Sequence, residues 1–235
     1  MVTAQHAFDY LSDSETLYNE ITGYATGAGA GGDTVLPPVD SNGNPFAISF
    51  QAPSEASDWS VFRSALYDPH ARNLVYFGHG GPHGLGYNQA DPNVSISAAD
   101  IAAHLHTIPD NQTNRHAYRF VLLDGCSTAN GDLPEAFGII HEENLPIDPY
   151  AAAAIRPSAF VGWDKDANIA FLGGMFSTHI SFIQEIQIHM NPALYNEGIE
   201  SAIHSAANSF DVQWTPYATH FKVFGFGDLH YFQYN

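Results

Sequence analysis

Two short apolar runs, Asn73 to Phe77 and Tyr118 to Leu123, flank a segment of helical character from Ser97 to His106. Both runs are too short for helices and rich in Leu, Val, Tyr and Phe, and glycine follows closely. They therefore read as strands buried on both faces. Ser97 and Asp100 make the Ser-x-x-Asp pattern that opens a helix. Strand, helix and strand in that order form a parallel βαβ unit, because parallel neighbours need a crossover between them.

The rest of the chain extends this pattern. A strand is expected at Phe46 to Phe50 and a short helix at Trp59 to Leu66. Further on, Leu133 to Ile139 reads as helix and Ala159 to Gly162 as strand. A long helix carries Ile169, Leu172, Phe176, Ile180 and Ile183, Leu194 to Ala206 continues as helix, and Phe221 to Phe224 is a last strand. Phe8, Leu11, Tyr18 and Ile21 recur at helical spacing from residue 5 to about 23, before the glycines of Gly27 to Gly32 and the Pro37-Pro38 pair. The expected fold is an α/β domain over residues 1–235, with 1–45 as an N-terminal helix and loop extension. Its sheet is open and mostly parallel, with helices on both faces and the active edge at the carboxyl ends of the strands.

The formal charge of −18 arises from scarcity of bases: Lys165 and Lys222 are the only lysines, beside five arginines. Such a field repels phosphate backbones, so nucleic acid is not an expected partner, and a basic peptide fits better. No stretch approaches a membrane span, and Met1 to Ala7 lack the basic and apolar regions of a signal peptide. A soluble chain with no membrane partner is expected. It is either cytoplasmic or an excised fragment of an exported protein.

The chemistry gathers at two strand ends. His79 lies in Tyr76-Phe77-Gly78-His79-Gly80-Gly81, and Cys126, the chain's one cysteine, in Leu122-Leu123-Asp124-Gly125-Cys126-Ser127-Thr128. Neighbouring parallel strands place both loops on one edge, about 5 Å apart. A thiol nucleophile needs that proximity: an imidazolium lowers the thiol pKa and returns a proton to the leaving group. The amides of Gly80 and Cys126 are candidate oxyanion donors. The competitor of His79 is His83, in the same Gly/Pro loop. His79 with His83, and His104 with His106, are candidate metal pairs, but no third-ligand pattern such as His-Glu-x-x-His accompanies them. No metal or other cofactor is expected. The glycines from Gly78 to Gly86 lack the Gly-Lys-Ser/Thr of a phosphate cradle and read as a loop.

An apolar strand ending in His-Gly, followed about 50 residues later by another ending in a small residue and Cys, resembles the caspase-like clan of cysteine peptidases, which includes caspases, metacaspases, legumains, clostripain and gingipains. Asp124-Gly125-Cys126-Ser127-Thr128 is similar to the Asp-x-Cys segment of metacaspases and clostripain. Cys126 to Gly131 with Glu135-Ala136-Phe137, and Gly227-Asp228-Leu229, resemble segments of gingipain-like peptidases. Gly125 stands where Ala or Ser is more usual. The resemblance spans about residues 73 to 230 by order of elements, and about 20 residues by motif.

The resemblance implies a caspase-like (caspase-hemoglobinase) three-layer sandwich and a cysteine endopeptidase that uses a His79–Cys126 dyad on a peptide or protein substrate. Asp124 would then form the floor of a pocket for P1 Arg or Lys. Trp163 and Asp164, after the next strand, are candidates for its wall. Two alternatives stay open: a caspase-like interaction domain whose dyad is vestigial or serves only self-processing, and a non-peptidase thiol hydrolase or acyltransferase.

Overall fold

The structure is a computed structural model describing residues 2–4, 50–51, 63, 66, 73–86, 95–107, 118–139, 158–166, 177–190, 195–209 and 219–230. Its elements run β1 (Val2–Ala4), β2 (Phe50–Gln51), β3 (Asn73–Phe77), β4 (Gly80–Gly81), β5 (Gly84–Gly86), β6 (Ser95–Ser97), α1 (Ala98–Thr107), β7 (Phe120–Asp124), α2 (Leu133–Ala136), β8 (Ala159–Trp163), α3 (Ser177–Met190), α4 (Ile199–Ser209) and β9 (Phe221–Gly225). Six of the strands form one sheet in the order β2-β1-β3-β7-β8-β9. Every pairing in it is parallel except β8 with β9.

Alternation along these strands feeds two cores. Leu74 and Tyr76, Val121 and Leu123, and Phe160 point to one side, where Ile101 of α1 and Leu133 and Ala136 of α2 cover them. Val75, Phe120 and Leu122, and Ala159, Val161 and Trp163 point to the other. There Phe182, Ile183, Ile186 and Met190 of α3 pack with Ile199, Ala202, Ile203 and Ala206 of α4. Helices on both faces of a mixed, mostly parallel sheet make three layers, which is why these strands read as near-continuous apolar runs.

The βαβ unit stands where the sequence places it. Ser97 Oγ accepts from Asp100 N at 3.1 Å and donates to the Asp100 carboxylate at 2.7 Å, closing the predicted cap of α1. Several boundaries differ. Residues Gly80 to Ser97, read in part as a glycine loop, contribute a three-stranded antiparallel sheet, β4-β5-β6. The helix expected over Leu133 to Ile139 is one turn, because Gly138 adopts φ 72° and ends it with two back-bonds, Gly138 N to Glu135 O and Ile139 N to Pro134 O. α4 begins at Ile199 rather than Leu194, after Asn196 at φ 51°. The first residues, read as part of an extension, supply strand β1, paired between β2 and β3. Of the strand expected over Phe46 to Phe50, only Phe50 is described, with Gln51, as β2. Arg63 and Leu66 are helical, as expected. The helix expected over residues 5 to 23, and Ile169, Leu172 and Phe176, lie outside the described residues.

Candidate active site

The register of the central strands fixes the geometry of the edge. Phe77 of β3 pairs with Asp124 of β7, and Gly78 N then donates to Asp124 O at 3.1 Å. His79 and Cys126 are each two residues beyond that pair, so they lie opposite one another on adjacent strand ends.

Beyond the strands the two loops nearly touch. A Cβ on Gly125 would stand 2.8 Å from Gly78 O, closer than side-chain carbons come, and 3.2 Å from Gly80 N, a tight contact. Glycine, where Ala or Ser is more usual in the resembling family, is what this approach requires. Cys126 is half-buried, and the next residue, Ser127, adopts φ 55°. Ser127 N donates to Lys165 O at 2.8 Å and Ala129 N to Trp163 O at 2.8 Å, so the cysteine turn is fastened to the end of β8. Thr128, fully buried, ties the turn to itself. Its hydroxyl donates toward Gly125 O at 2.9 Å and Leu123 O at 3.1 Å and accepts from Trp163 N at 3.3 Å.

The histidine turn is held from the other side. Gly86 N donates to His79 O at 2.8 Å, which makes His79 and Gly86 a hydrogen-bonded pair of the β4–β5 hairpin. Hydrogen-bonded and non-bonded pairs alternate in antiparallel strands, so Gly80, opposite Leu85, turns its N–H away from β5. That side faces Gly125. Beneath the turn Tyr76, fully buried, donates its hydroxyl to the same His79 carbonyl at 2.6 Å. Burial, then the charges of Asp124 and of a thiolate at Cys126, hold Tyr76 well above its ordinary pKa. It stays a neutral donor.

The predicted substrate-binding residues are brought together on the same edge, in different states. Asp124 is 3% exposed, and its Oδ1 accepts from the Trp163 indole N–H at 2.7 Å. Trp163 is itself fully buried against Phe182 and Phe221. It shapes the edge by holding Asp124 and does not present its ring to solvent. Asp164 accepts from His220 Nδ1 at 2.8 Å and lies 3.4 Å from Lys222 Nζ. His83 is exposed and bonded to Asp132 at 2.9 Å, strapping the hairpin tip to the cysteine loop. Among the described residues no three His, Cys, Asp or Glu side chains are grouped to hold a metal ion. No described helix is long and apolar enough to cross a membrane.

Sequence reading missed Tyr76, Thr128 and His220. Tyr76 carried a faint signal, a polar tip in an apolar strand just before the His-Gly step. His220 carried none, because its partner is 56 residues away and is met only through the β8–β9 pairing.

No family model matches this chain, and a search of curated proteins finds no match. The geometry of the edge carries the functional reading.

Proposed function

We propose that the chain is a cysteine endopeptidase with a caspase-like fold and clan membership, in which Cys126 is the nucleophile and His79 its acid/base partner. The observation that supports it most is the register: His79 and Cys126 follow the paired residues Phe77 and Asp124 by the same two positions, on loops that meet at Gly78, Gly80 and Gly125. The Cys126 thiolate attacks the scissile carbonyl, and the imidazolium of His79 gives its proton to the leaving amine. Water, deprotonated by His79, then cleaves the thioester and frees the acid product. The developing oxyanion is served by the N–H groups of Gly80 and Cys126. No cofactor takes part.

The substrate is a peptide or protein with Arg or Lys at the cleaved position. The preference is assigned to Asp124, the carboxylate two residues before the thiol and held in place by the Trp163 indole. The acid-rich chain, at −18, favours a cationic ligand in the same sense.

Fluorogenic peptides with Arg, Lys or uncharged P1 residues, together with a peptidyl acyloxymethyl ketone probe, test this. The expected result is turnover and labelling in wild type and neither in Cys126→Ala. Equal absence in both overturns the peptidase reading. Turnover indifferent to P1 charge keeps the peptidase and removes the role of Asp124.

A further inference from the structure

The geometry points to Tyr76 as a positioning residue: its buried hydroxyl, together with the Gly86 N–H, holds the His79 carbonyl and so fixes the imidazole-bearing turn opposite Cys126. This rests on the reading of His79 and Cys126 as a dyad and extends it to a residue that touches neither substrate nor thiol chemistry.

In an extended strand, residues three apart are about 10 Å apart, beyond the reach of a tyrosine side chain. The 2.6 Å bond from Tyr76 to His79 O exists because the chain turns back after Gly78, which adopts φ 156°. The hydroxyl is therefore specific to the bent form of the loop and is lost if the loop straightens. The remainder of the ring is core: Tyr76 is fully buried among Leu74, Leu85, Leu123 and their neighbours, a place a phenylalanine fills equally well. A buried tyrosine normally keeps its hydroxyl bonded, and here that bond falls on the backbone of the proposed base. The His79 carbonyl accepts both from its own strand and from Gly86 across the hairpin, at 2.8 Å. With two donors the carbonyl, and with it the Cα–Cβ vector of His79, has one orientation. Tyr76 also lies close enough to Asp124 and Cys126 for their charges to oppose its ionisation, which keeps the donor neutral while the thiolate forms.

Cys126 is the chain's only thiol, so alkylation by iodoacetamide followed by intact mass reads it without ambiguity. Rates are measured from pH 5 to pH 10 in the full chain for wild type, His79→Ala and Tyr76→Phe, alongside thermal unfolding. Removing the hydroxyl loosens the imidazolium that lowers the thiol pKa. The expected result for Tyr76→Phe is a midpoint raised by about one pH unit, which costs about tenfold in rate at pH values below both midpoints and progressively less above them. The rate at pH 10 and the unfolding temperature stay close to wild type. Replacement of Tyr76 by 4-aminophenylalanine, which keeps a donor at the same point, restores the wild-type profile; the same variant decides the matter if Tyr76→Phe does not fold. An unshifted profile in a folded Tyr76→Phe overturns the inference. So does a uniform loss at every pH accompanied by lower thermal stability, or a shifted profile in the 4-aminophenylalanine protein. If wild type and His79→Ala titrate alike, it is the dyad that fails. If His79→Ala shifts the profile and Tyr76→Phe does not, only the role of Tyr76 is lost.

Discussion

At the junction of α3 and α4, His189 commits both ring nitrogens. Nδ1 meets Glu197 at 3.1 Å, Nε2 meets Ser209 at 3.2 Å, and Tyr195 stacks on the ring. Glu197 in turn accepts from Ser201 at 2.9 Å and Ser205 at 2.7 Å. Hydroxyl, imidazole and carboxylate stand here in the order of a nucleophile, its base and an orienting acid. Yet Ser209 ends α4, where the orphan backbone groups are carbonyls, and its hydroxyl donates back to Ser205 O at 2.9 Å. A carbonyl-rich helix end repels the oxyanion that acyl transfer develops. The edge of β3 and β7 is built the other way. There the polar side chains sit on loops whose backbones approach within contact, and the N–H of Gly80 is turned toward the cysteine loop. The two regions separate a network of side chains around a helix end from a pair of strand-end loops whose backbones meet at glycines. Residue types alone do not distinguish them.

The widest separation between the regions should appear in catalysis. Cys126→Ala is expected to remove turnover at least about 1000-fold and His79→Ala by about 100-fold to 10,000-fold, with unfolding temperatures close to wild type. Steady-state kinetics beside calorimetry checks both. His189→Ala should do the reverse. It strands Glu197 and its serines, destabilising by about 1–3 kcal/mol, or about 2–12 °C, while leaving turnover per folded molecule unchanged. A large kinetic loss there without loss of stability would erase the contrast. Trp163→Phe lies between: removing the indole N–H from the buried Asp124 carboxylate is expected to cost about 1.5–3 kcal/mol in denaturant unfolding.

The regions should also fail at opposite ends of the pH scale. Burial pulls Glu197 upward, but hydrogen bonds from Ser205, Ser201 and His189, and the His189 charge, outweigh it and leave its pKa below the ordinary 4.5. A lowered acid stabilises above its unfolded value, so this contribution is lost as pH falls below about 4.5. Tyr76, raised above its ordinary value near 10 by burial and by Asp124 and Cys126, contributes fully below pH 10 and ceases to as pH rises beyond it. Stability against pH should show Glu197→Gln converging on wild type in acid, and Tyr76→Phe, close to wild type below pH 10, exceeding it in strong alkali, where the unfolded tyrosine ionises before the folded one. The smallest effect belongs to the strap between His83 and Asp132, both 68% exposed. His83→Ala should change stability by no more than about 1 kcal/mol and leave Cys126 reactivity unaltered.

The part of this arrangement legible in the sequence was the part written in short range. β3, β7 and β8 are apolar because both faces of the sheet are covered, and α1 carries its cap in four consecutive residues. The strand ends followed directly, and with them His79, Cys126 and Gly80. What escaped is set by distant partners or by backbone alone. β1 is three residues long, too short to show a period, and β4 and β5 are largely glycine, without strand propensity. The commitment of Trp163 to Asp124 and of Asp164 to His220 comes from the β7–β8–β9 register, which no local pattern encodes.

The central claim is that His79 and Cys126 act as a pair. It meets its most direct test in the difference spectrum of thiolate absorbance near 240 nm, taken from pH 4 to pH 10 for wild type and His79→Ala, each corrected by its own Cys126→Ala counterpart. The account predicts that the wild-type thiolate forms well below the free-thiol range of about 8.5 and that His79→Ala returns it toward that range. One titration near 8.5, the same in both proteins, would contradict it.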